Sequence, residues 1–397
     1  MIKSFFKILQ NLKFFLGPKK VIIVDNINNV EDEIMKKIRV YDYAELLYPN
    51  TIYVNVLIRA LILKIFKGYK LRISYYLSFI QIADPKLVLT FTDNNIFFYS
   101  LKNLIKKKIY FISHQNGWRA NLSDLFDKQI QKPVDQFYLS CDYIFSFSKL
   151  ISSLYNNIID SKVIESGCYI NNHYKKLRVR KKKIKKLIFI STSDFNVEKR
   201  YKIKNNFFFS YEKAILKFIF QYCLEKNISL YIYPKFIQSR DEHKNELNFY
   251  KKNLPLKYFN KKWFMIKKNN SKYIYKNISK FDLAVSTEST LGYELLARGF
   301  KCVILKARSD YLKKKFDINF SESFNYGWPK KLKKNHGYFW SNKFNEKIFR
   351  KIFNNVSDFS QQRWNKILYE ERNKLYFHDH GNKRFYKILN KIINEKK

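Results

Sequence analysis

The sequence predicts an α/β protein built from two doubly wound, parallel-sheet domains. Three observations carry that reading: short apolar runs alternate with helical stretches, each run ends in small polar residues, and the rhythm restarts after a basic segment. The 397 residues suit two domains of about 150–200 residues better than one.

Taken in order, residues 1–16, MIKSFFKILQNLKFFL, are interrupted by Lys3, Lys7 and Lys13 and show no small-residue cleavage site, so they do not read as an export signal. As a helix they place Phe5, Ile8, Leu9, Leu12 and Leu16 on one side, suited to a membrane surface or to the protein body. Val21–Val24, closed by Asp25 and Asn26, reads as the first buried parallel strand. The apolar run Val54–Phe66 contains Arg59 and Lys64, and as a helix it spans about 20 Å, too short to cross a bilayer. Further strands are expected at 86–91, 108–112, 143–147 and 162–167, the first two of these running into Thr92-Asp93-Asn94-Asn95 and Ser113-His114-Gln115-Asn116-Gly117.

Nine of the twelve residues in KKLRVRKKKIKK (175–186) are Lys or Arg, too much self-repulsion for a core. The expected division is therefore a first domain over 1–177, a basic linker over 178–186, a second domain over 187–342, and C-terminal helices over 343–397 that pack back on the body. In the second domain, Leu187–Ile190 ends at Ser191-Thr192-Ser193-Asp194, Leu230–Tyr233 ends at Pro234-Lys235, and Phe281–Val285 ends at Ser286-Thr287-Glu288-Ser289-Thr290 before a helix and the strand Cys302–Leu305.

Composition narrows the function. Lys and Arg total 77 against 33 acids, a formal charge of +44. Of the cations 63 are Lys and 14 Arg, and Arg is the bidentate reader of phosphates and base edges. With no zinc-finger, RNP or basic-zipper pattern, nucleic acid is a poor candidate partner, and a diffuse Lys field suits an anionic membrane surface better. Cys141, Cys168, Cys223 and Cys302 stand far apart with no CxxC pair, as expected of small core residues in a reducing cytoplasm.

Ligands of open α/β sheets bind outside the carboxyl ends of the strands, where the polar strings fall in both halves, so a cleft between the domains is expected. In FDLAVSTESTLGYELLARG (281–299) a strand leads into a helix beginning near Ser289-Thr290. Free N–H groups and the positive helix end can hold a phosphate there, and Glu294, a turn further in, can meet a sugar hydroxyl. The plainer alternative is that Ser289 caps the helix and Glu294 is solvated.

The string STESTLGYELLARG resembles the strand–turn–helix of a family of bacterial surface-carbohydrate (O-antigen and capsule) biosynthesis proteins. VLTFTDNNIFFYSL with KKIYFISHQNGWR, NYGWPKKLKKNHGYFWSN and FHDHGNKRFY resemble the same family's other signatures, in order, over about residues 21–390. The family is similar to GT-B glycosyltransferases and, more distantly, to CDP-glycerol glycerophosphotransferases. The resemblance implies two Rossmann-like domains, acceptor bound by the first and nucleotide-activated donor by the second. It also implies chemistry without a metal or other cofactor; no DxD loop or His/Cys cluster stands out.

On that resemblance Ser191, Thr192, Ser193, Lys235, Ser286, Ser289, Thr290 and Glu294 are the expected donor-binding residues, and Asn94, Asn95, Gln115, Asn116 and Arg119 the acceptor-binding ones. Asp93 and His114 are the two candidates for the base that activates the attacking hydroxyl, with Glu288 a third. Wall-polymer transferases carry a catalytic His in a His-Gly loop, whereas His114 lies three residues before Gly117, which ranks Asp93 ahead. His378 and His380 flank Asp379 at a spacing that does not share a helix face, and Asp379, Gly381 and Asn382 match a structural turn of the family. Trp328, Trp340 and Trp364 read as packing residues.

The function expected is metal-independent transfer of a sugar from a nucleotide-sugar donor to a lipid-linked or growing saccharide, by a cytoplasmic enzyme peripheral on the inner face of the membrane. Two alternatives stand beside it: a polyol-phosphate transferase or sugar-nucleotide epimerase on the same fold, and a non-catalytic basic protein that binds membrane or RNA.

Overall fold

In the first half, the apolar runs become a six-stranded, all-parallel sheet. Residues 12–25, 32–47, 50–117, 139–178, 183–192, 204–270, 272–318 and 335–395 are described by the computed structural model. Arg119, Ser193, Trp328, residues 1–11 of the expected helix at 1–16 and residues 179–182 of the expected linker lie outside them. In the described end of that segment Leu12 and Lys13 are not helical but form a short strand paired with Ile52 and Tyr53.

The chain forms two compact units. Among the described residues the first takes those up to Gly117, those from 139 to Asn172 and those from Gly381 onward; the second takes those from His173 to His380. The first unit opens with β1 (Leu12–Lys13), β2 (Ile22–Asp25), α1 (Asp32–Ile38), β3 (Tyr43–Leu46) and β4 (Ile52–Tyr53). Then come α2 (Val54–Lys67), α3 (Leu71–Ala83), β5 (Leu87–Thr90), α4 (Ile96–Asn103), β6 (Tyr110–His114), β7 (Ser140–Ser146), α5 (Lys149–Asn156) and β8 (Asp160–Glu165). Its main sheet has the order β3-β2-β5-β6-β7-β8, and β1 pairs with β4 apart from it. The order reverses at β2/β5, where Ile22, Ile23 and Val24 register against Leu87, Val88 and Leu89, all but sealed from solvent. That burial on both faces is why these runs read as continuous apolar stretches.

The last helix, Lys383–Asn394, belongs to this first unit. Phe385, Leu389 and Ile392 enter the core formed by Ile22, Val24, Leu87, Leu89, Ile112 and Phe145. The chain enters and leaves the second unit at adjacent points: the Gly381 N–H donates to the Asn172 carbonyl at 2.8 Å, and the Asn172 amide donates to Asn382 Oδ1 at 2.9 Å. Gly381 and Asn382 both adopt left-handed backbone, at φ 77° and 53°, a turn that glycine and asparagine adopt most cheaply.

The second unit holds β9 (Lys186–Ile190), α6 (Asn205–Glu225), β10 (Ser229–Tyr233), α7 (Asp241–Asn253), β11 (Trp263–Met265), α8 (Tyr273–Asn277), β12 (Leu283–Ser286) and α9 (Thr290–Ala297). It continues through β13 (Cys302–Leu305), α10 (Arg308–Phe316), β14 (Trp340–Ser341), α11 (Glu346–Asp358) and α12 (Gln361–Leu375). Its sheet is all parallel in the order β11-β10-β9-β12-β13-β14, so the order reverses between β9 and β12. Trp340 and Trp364 are buried, and the Trp364 indole donates to the Gly299 carbonyl at 2.9 Å. All four cysteines are buried thiols. Among the described residues no helix is long and apolar enough to cross a membrane.

Candidate functional site

The reversal points are where a doubly wound sheet opens a crevice at its carboxyl edge. In the second unit that point lies between Ser191-Thr192, after β9, and Ser286-Thr287-Glu288, at and after β12. The two loops meet: Thr192 and Thr287 share a hydroxyl hydrogen bond of 3.0 Å. Ser289 is the N-cap of α9, its hydroxyl accepting the Leu291 N–H at 3.3 Å. That leaves the Ser289 hydroxyl proton to be donated outward, so capping and ligand binding are compatible. Ser289 and Thr290 are half-buried, whereas Ser286 is sealed and donates to the Ser289 carbonyl at 3.3 Å.

Gly292 explains how α9 comes so close to the sheet. A Cβ there would lie 2.7 Å from Ser286 Oγ and 2.9 Å from Ile304 Cδ1, inside contact distance. It is therefore a close-approach glycine between helix and strand, not part of a phosphate loop.

Two buried networks brace this edge. Glu246, on α7 and fully buried, accepts the Ser191 hydroxyl, the Lys235 N–H at 2.9 Å and the Phe236 N–H at 3.2 Å. Burial raises its carboxyl above the ordinary range, against the pull of these donors. Lys268 Nζ donates to the Pro234 and Lys235 carbonyls at 3.1 and 2.6 Å, and burial lowers its ammonium to about 8. The loop 234–236 is thus pinned from both sides, while the Lys235 residue itself is exposed. In the second network buried Arg308 pairs with Glu288 at 2.8 Å and with buried Glu212 at 3.0 Å. Burial pulls the guanidinium down, and the two carboxylates outweigh it. Glu288 is thereby held at the edge of the loop. Glu294 is buried and accepts the Tyr275 hydroxyl, so it is neither solvated nor turned to the surface.

In the first unit the reversal point lies between β2 and β5, where Asp25 registers against Thr90. Asp25 Oδ2 takes the Thr90 hydroxyl at 3.4 Å and the Asn95 amide at 3.3 Å. Desolvation raises its carboxyl to about 6, opposed by those donors and by Arg72. The expected base Asp93 is completely buried: Oδ2 accepts the Tyr155 hydroxyl at 2.6 Å, Oδ1 the Asn116 N–H at 3.1 Å. His114 is also completely buried, stacked on Phe91 and Phe145 and edge-on to Tyr169 and Phe385. Its Nδ1 lies 3.3 Å from the Gln115 carbonyl, Nε2 finds no hydrogen-bond partner among the described residues, and burial lowers the imidazole to about 4. Gln115 is buried and its Oε1 accepts the Phe147 N–H at 2.7 Å, whereas Asn94 and Asn116 are exposed.

The structure therefore gathers Ser191, Thr192, Ser286, Glu288, Ser289 and Thr290 at one edge, with Lys235 tied to them through Glu246. In the other unit it gathers Asn95 with Asp25, and Asp93 with Asn116. It turns His114 and Gln115 into the core. Asp25, Glu246, Arg308 and Glu212 were not singled out as site residues in the sequence. The signal for Asp25 was an acid directly ending a fully apolar strand. For Glu246 and Arg308 no local pattern marks a residue whose partners lie on other elements.

No curated protein matches this sequence. Similar folds occur in a solved structure of "putative UDP-N-acetylglucosamine 2-epimerase from Listeria monocytogenes", at 11% identity and TM-score 0.53, covering 96% of this chain and 98% of that one. The UDP-GlcNAc 2-epimerase of Methanocaldococcus jannaschii, solved with UDP-GlcNAc and UDP, matches at 13% identity and TM-score 0.50, covering 94% and 99%. The wall teichoic acid polymerase TagF (H548A) matches at 11% identity and TM-score 0.49, covering 99% and 92%. At these identities the likeness to the two epimerase structures is one of fold, in keeping with the expected GT-B-like pair of doubly wound domains. The strand-end loops from Asp93 onward, the STESTLGYE turn and the Gly381-Asn382 turn all fall within residues 93–393, the span that matches the family described as "putative O-antigen biosynthesis protein", and over that span the chain belongs to this family.

Proposed function

We propose that the chain is a surface-glycan transferase that takes a sugar from a nucleotide-activated donor and passes it to a lipid-linked or growing saccharide, with no metal required. The observation that carries this is the meeting of the β9 and β12 loops at the sheet's reversal point, through Thr192 and Thr287, beside the capped start of α9. In this reading the donor's diphosphate lies against the Ser289 and Thr290 end of α9, where the helix dipole and hydroxyl donors offset its charge. Lys235, held out by the Glu246 and Lys268 brace, supplies a cation to the same anion. Glu288, fixed by Arg308, lines the donor side.

On the acceptor side Asn94, Asn95 and Asn116 supply polar contacts, and Asp93 positions Asn116. Asp25 is the better base: both of its hydrogen bonds go to Oδ2, and a carboxyl held near 6 is suited to taking a proton at neutral pH. The sugar–oxygen bond to the diphosphate breaks as the acceptor oxygen attacks, and the hydroxyl proton passes to the base.

A thermal-shift screen of the full chain against UDP, CDP and CMP tests the donor assignment. Saturating a native-state site about a hundredfold above its Kd adds about 2.7 kcal/mol. The expected result is a rise in Tm with a nucleoside diphosphate that Thr192→Val reduces and Lys235→Ala abolishes. No response to any nucleotide removes the transferase reading. Epimerised donor as the sole product assigns the fold to the epimerase alternative instead.

A further inference from the structure

Apolar side chains on the outside of this chain are not scattered. Of the eleven large hydrophobic residues exposed among the described residues, five lie on α2: Ile58 at 57%, Leu61 at 44%, Ile62 at 50%, Ile65 at 77% and Phe66 at 78%. Their spacing is i, i+3, i+4, i+7 and i+8, which on a helix of about 100° per residue is one continuous stripe. The opposite face, through Val56 and Ala60, is buried in the body, so the stripe is turned away from the core. Phe14 and Phe15, 85% and 69% exposed, adjoin the start of the same helix, since the Asn55 N–H donates to the Phe14 carbonyl and the Asn55 amide to the Leu16 carbonyl.

Charge says what covers this stripe. Arg59 and Lys64 are exposed on its two borders, with Lys67 exposed at the end of the helix, Lys70 in the turn that follows and Arg72 at the start of α3. From Leu46 to Ala83 the chain holds five Lys or Arg and not one Asp or Glu, although acids make up 33 of the 397 residues. A protein partner of ordinary composition or a second copy of this chain, itself at +44, offers no surplus of negative charge. A bilayer with anionic headgroups offers both an apolar interior for the stripe and phosphates for the flanking cations, whose aliphatic stems reach upward beside it.

We propose that α2 is the membrane-docking element of the protein, lying in the plane of an anionic lipid surface with Ile58, Leu61, Ile62, Ile65 and Phe66 inserted. The helix of 14 residues lies on the surface and does not span it. This assignment does not rest on the transfer reaction, and it holds equally for a chain with no activity.

The test is flotation of the full-length protein with vesicles of phosphatidylcholine alone and with vesicles containing one quarter phosphatidylglycerol. Binding is expected to the anionic vesicles, weakening with salt, and to fall about tenfold or more in Ile62→Glu/Phe66→Glu. Both positions are exposed, so the variant keeps the parent's melting temperature and far-UV spectrum. Arg59→Gln/Lys64→Gln is expected to weaken binding to anionic vesicles and leave any residual binding to neutral ones unchanged. Equal binding by Ile62→Glu/Phe66→Glu and the parent overturns the proposal in favour of a diffuse Lys field. No binding to either vesicle also overturns it, as does a dimer in light scattering that Phe66→Glu dissociates in a chain with no vesicle affinity.

Discussion

The backbone N–H of Asn116 donates to Oδ1 of Asp93 at 3.1 Å, joining the loop after β6 to the loop after β5. The other carboxylate oxygen is held by Tyr155 on α5, so a single buried acid fixes two neighbouring strand ends. Asp93→Asn replaces an acceptor with a donor facing a phenol, and the loss is expected at about 2–3 kcal/mol in denaturant unfolding. Tyr155→Phe is expected to cost about half as much, and a double-mutant cycle to show coupling between them. Additive losses would show that the two side chains do not act as a unit.

Gly292→Ala places a methyl group where Ser286 and Ile304 already stand. The helix or the strand end must move, at about 1–3 kcal/mol, and the cap at Ser289 moves with it. The variant is expected to remain folded with a lowered Tm and to lose most of its response to nucleoside diphosphates. An unchanged response at lowered stability would separate the α9 cap from donor binding.

Glu246→Gln keeps the size of the side chain and removes the charge that collects the Ser191 hydroxyl and the Lys235 and Phe236 N–H groups. Loosening of the 234–236 loop is expected to weaken nucleotide affinity about tenfold, or about 1.4 kcal/mol. Titration calorimetry reads this directly, and a Kd within twofold of the parent's would detach Lys235 from the donor.

Two buried groups of the first unit titrate in opposite senses. Asp25 is raised from 3.8 to about 6, so the stability it contributes is complete below about 3.8 and is lost as pH rises through 6. His114 is lowered from 6.5 to about 4, so its contribution is complete above 6.5 and is lost as pH falls through 4. Each displacement corresponds to about 3 kcal/mol, and in the parent the two largely offset one another between pH 4 and 6. On acidification across that window, Asp25→Asn is expected to lose stability relative to the parent and His114→Phe to gain it. Chemical denaturation at several pH values checks the signs. Parallel curves for all three proteins would place both groups in solvent.

Much of this architecture is legible in the sequence because parallel strands buried on both faces must be apolar throughout. Ile22–Val24, Leu87–Leu89, Leu187–Ile190 and Cys302–Leu305 all announce themselves in that way. Of the strands not anticipated, β3, β11 and β14 are four, three and two residues long and lie at sheet edges, while β1 and β4 are two residues each and pair only with one another, so none of them needs a continuous apolar run. The loops at Ser191, Thr287 and Ser289 were legible for the same reason as the strands: they follow directly from them. The orientation of His114 was not, since the same polar string accommodates an imidazole pointing to solvent or into Phe91 and Phe145. Nor was Glu246, whose partners lie 55, 11 and 10 residues away and come together through the fold.

The return of the Lys383–Asn394 helix to the first unit sets an order on biosynthesis. Ribosomes emit the β2–β8 sheet early, but Phe385, Leu389 and Ile392, which complete its core, emerge last. The second unit can close while its predecessor still waits for a missing wedge. A chain that terminates at Asn382 would therefore release a finished downstream half tethered to an upstream half with open apolar surface, a species for chaperones and proteases to sort.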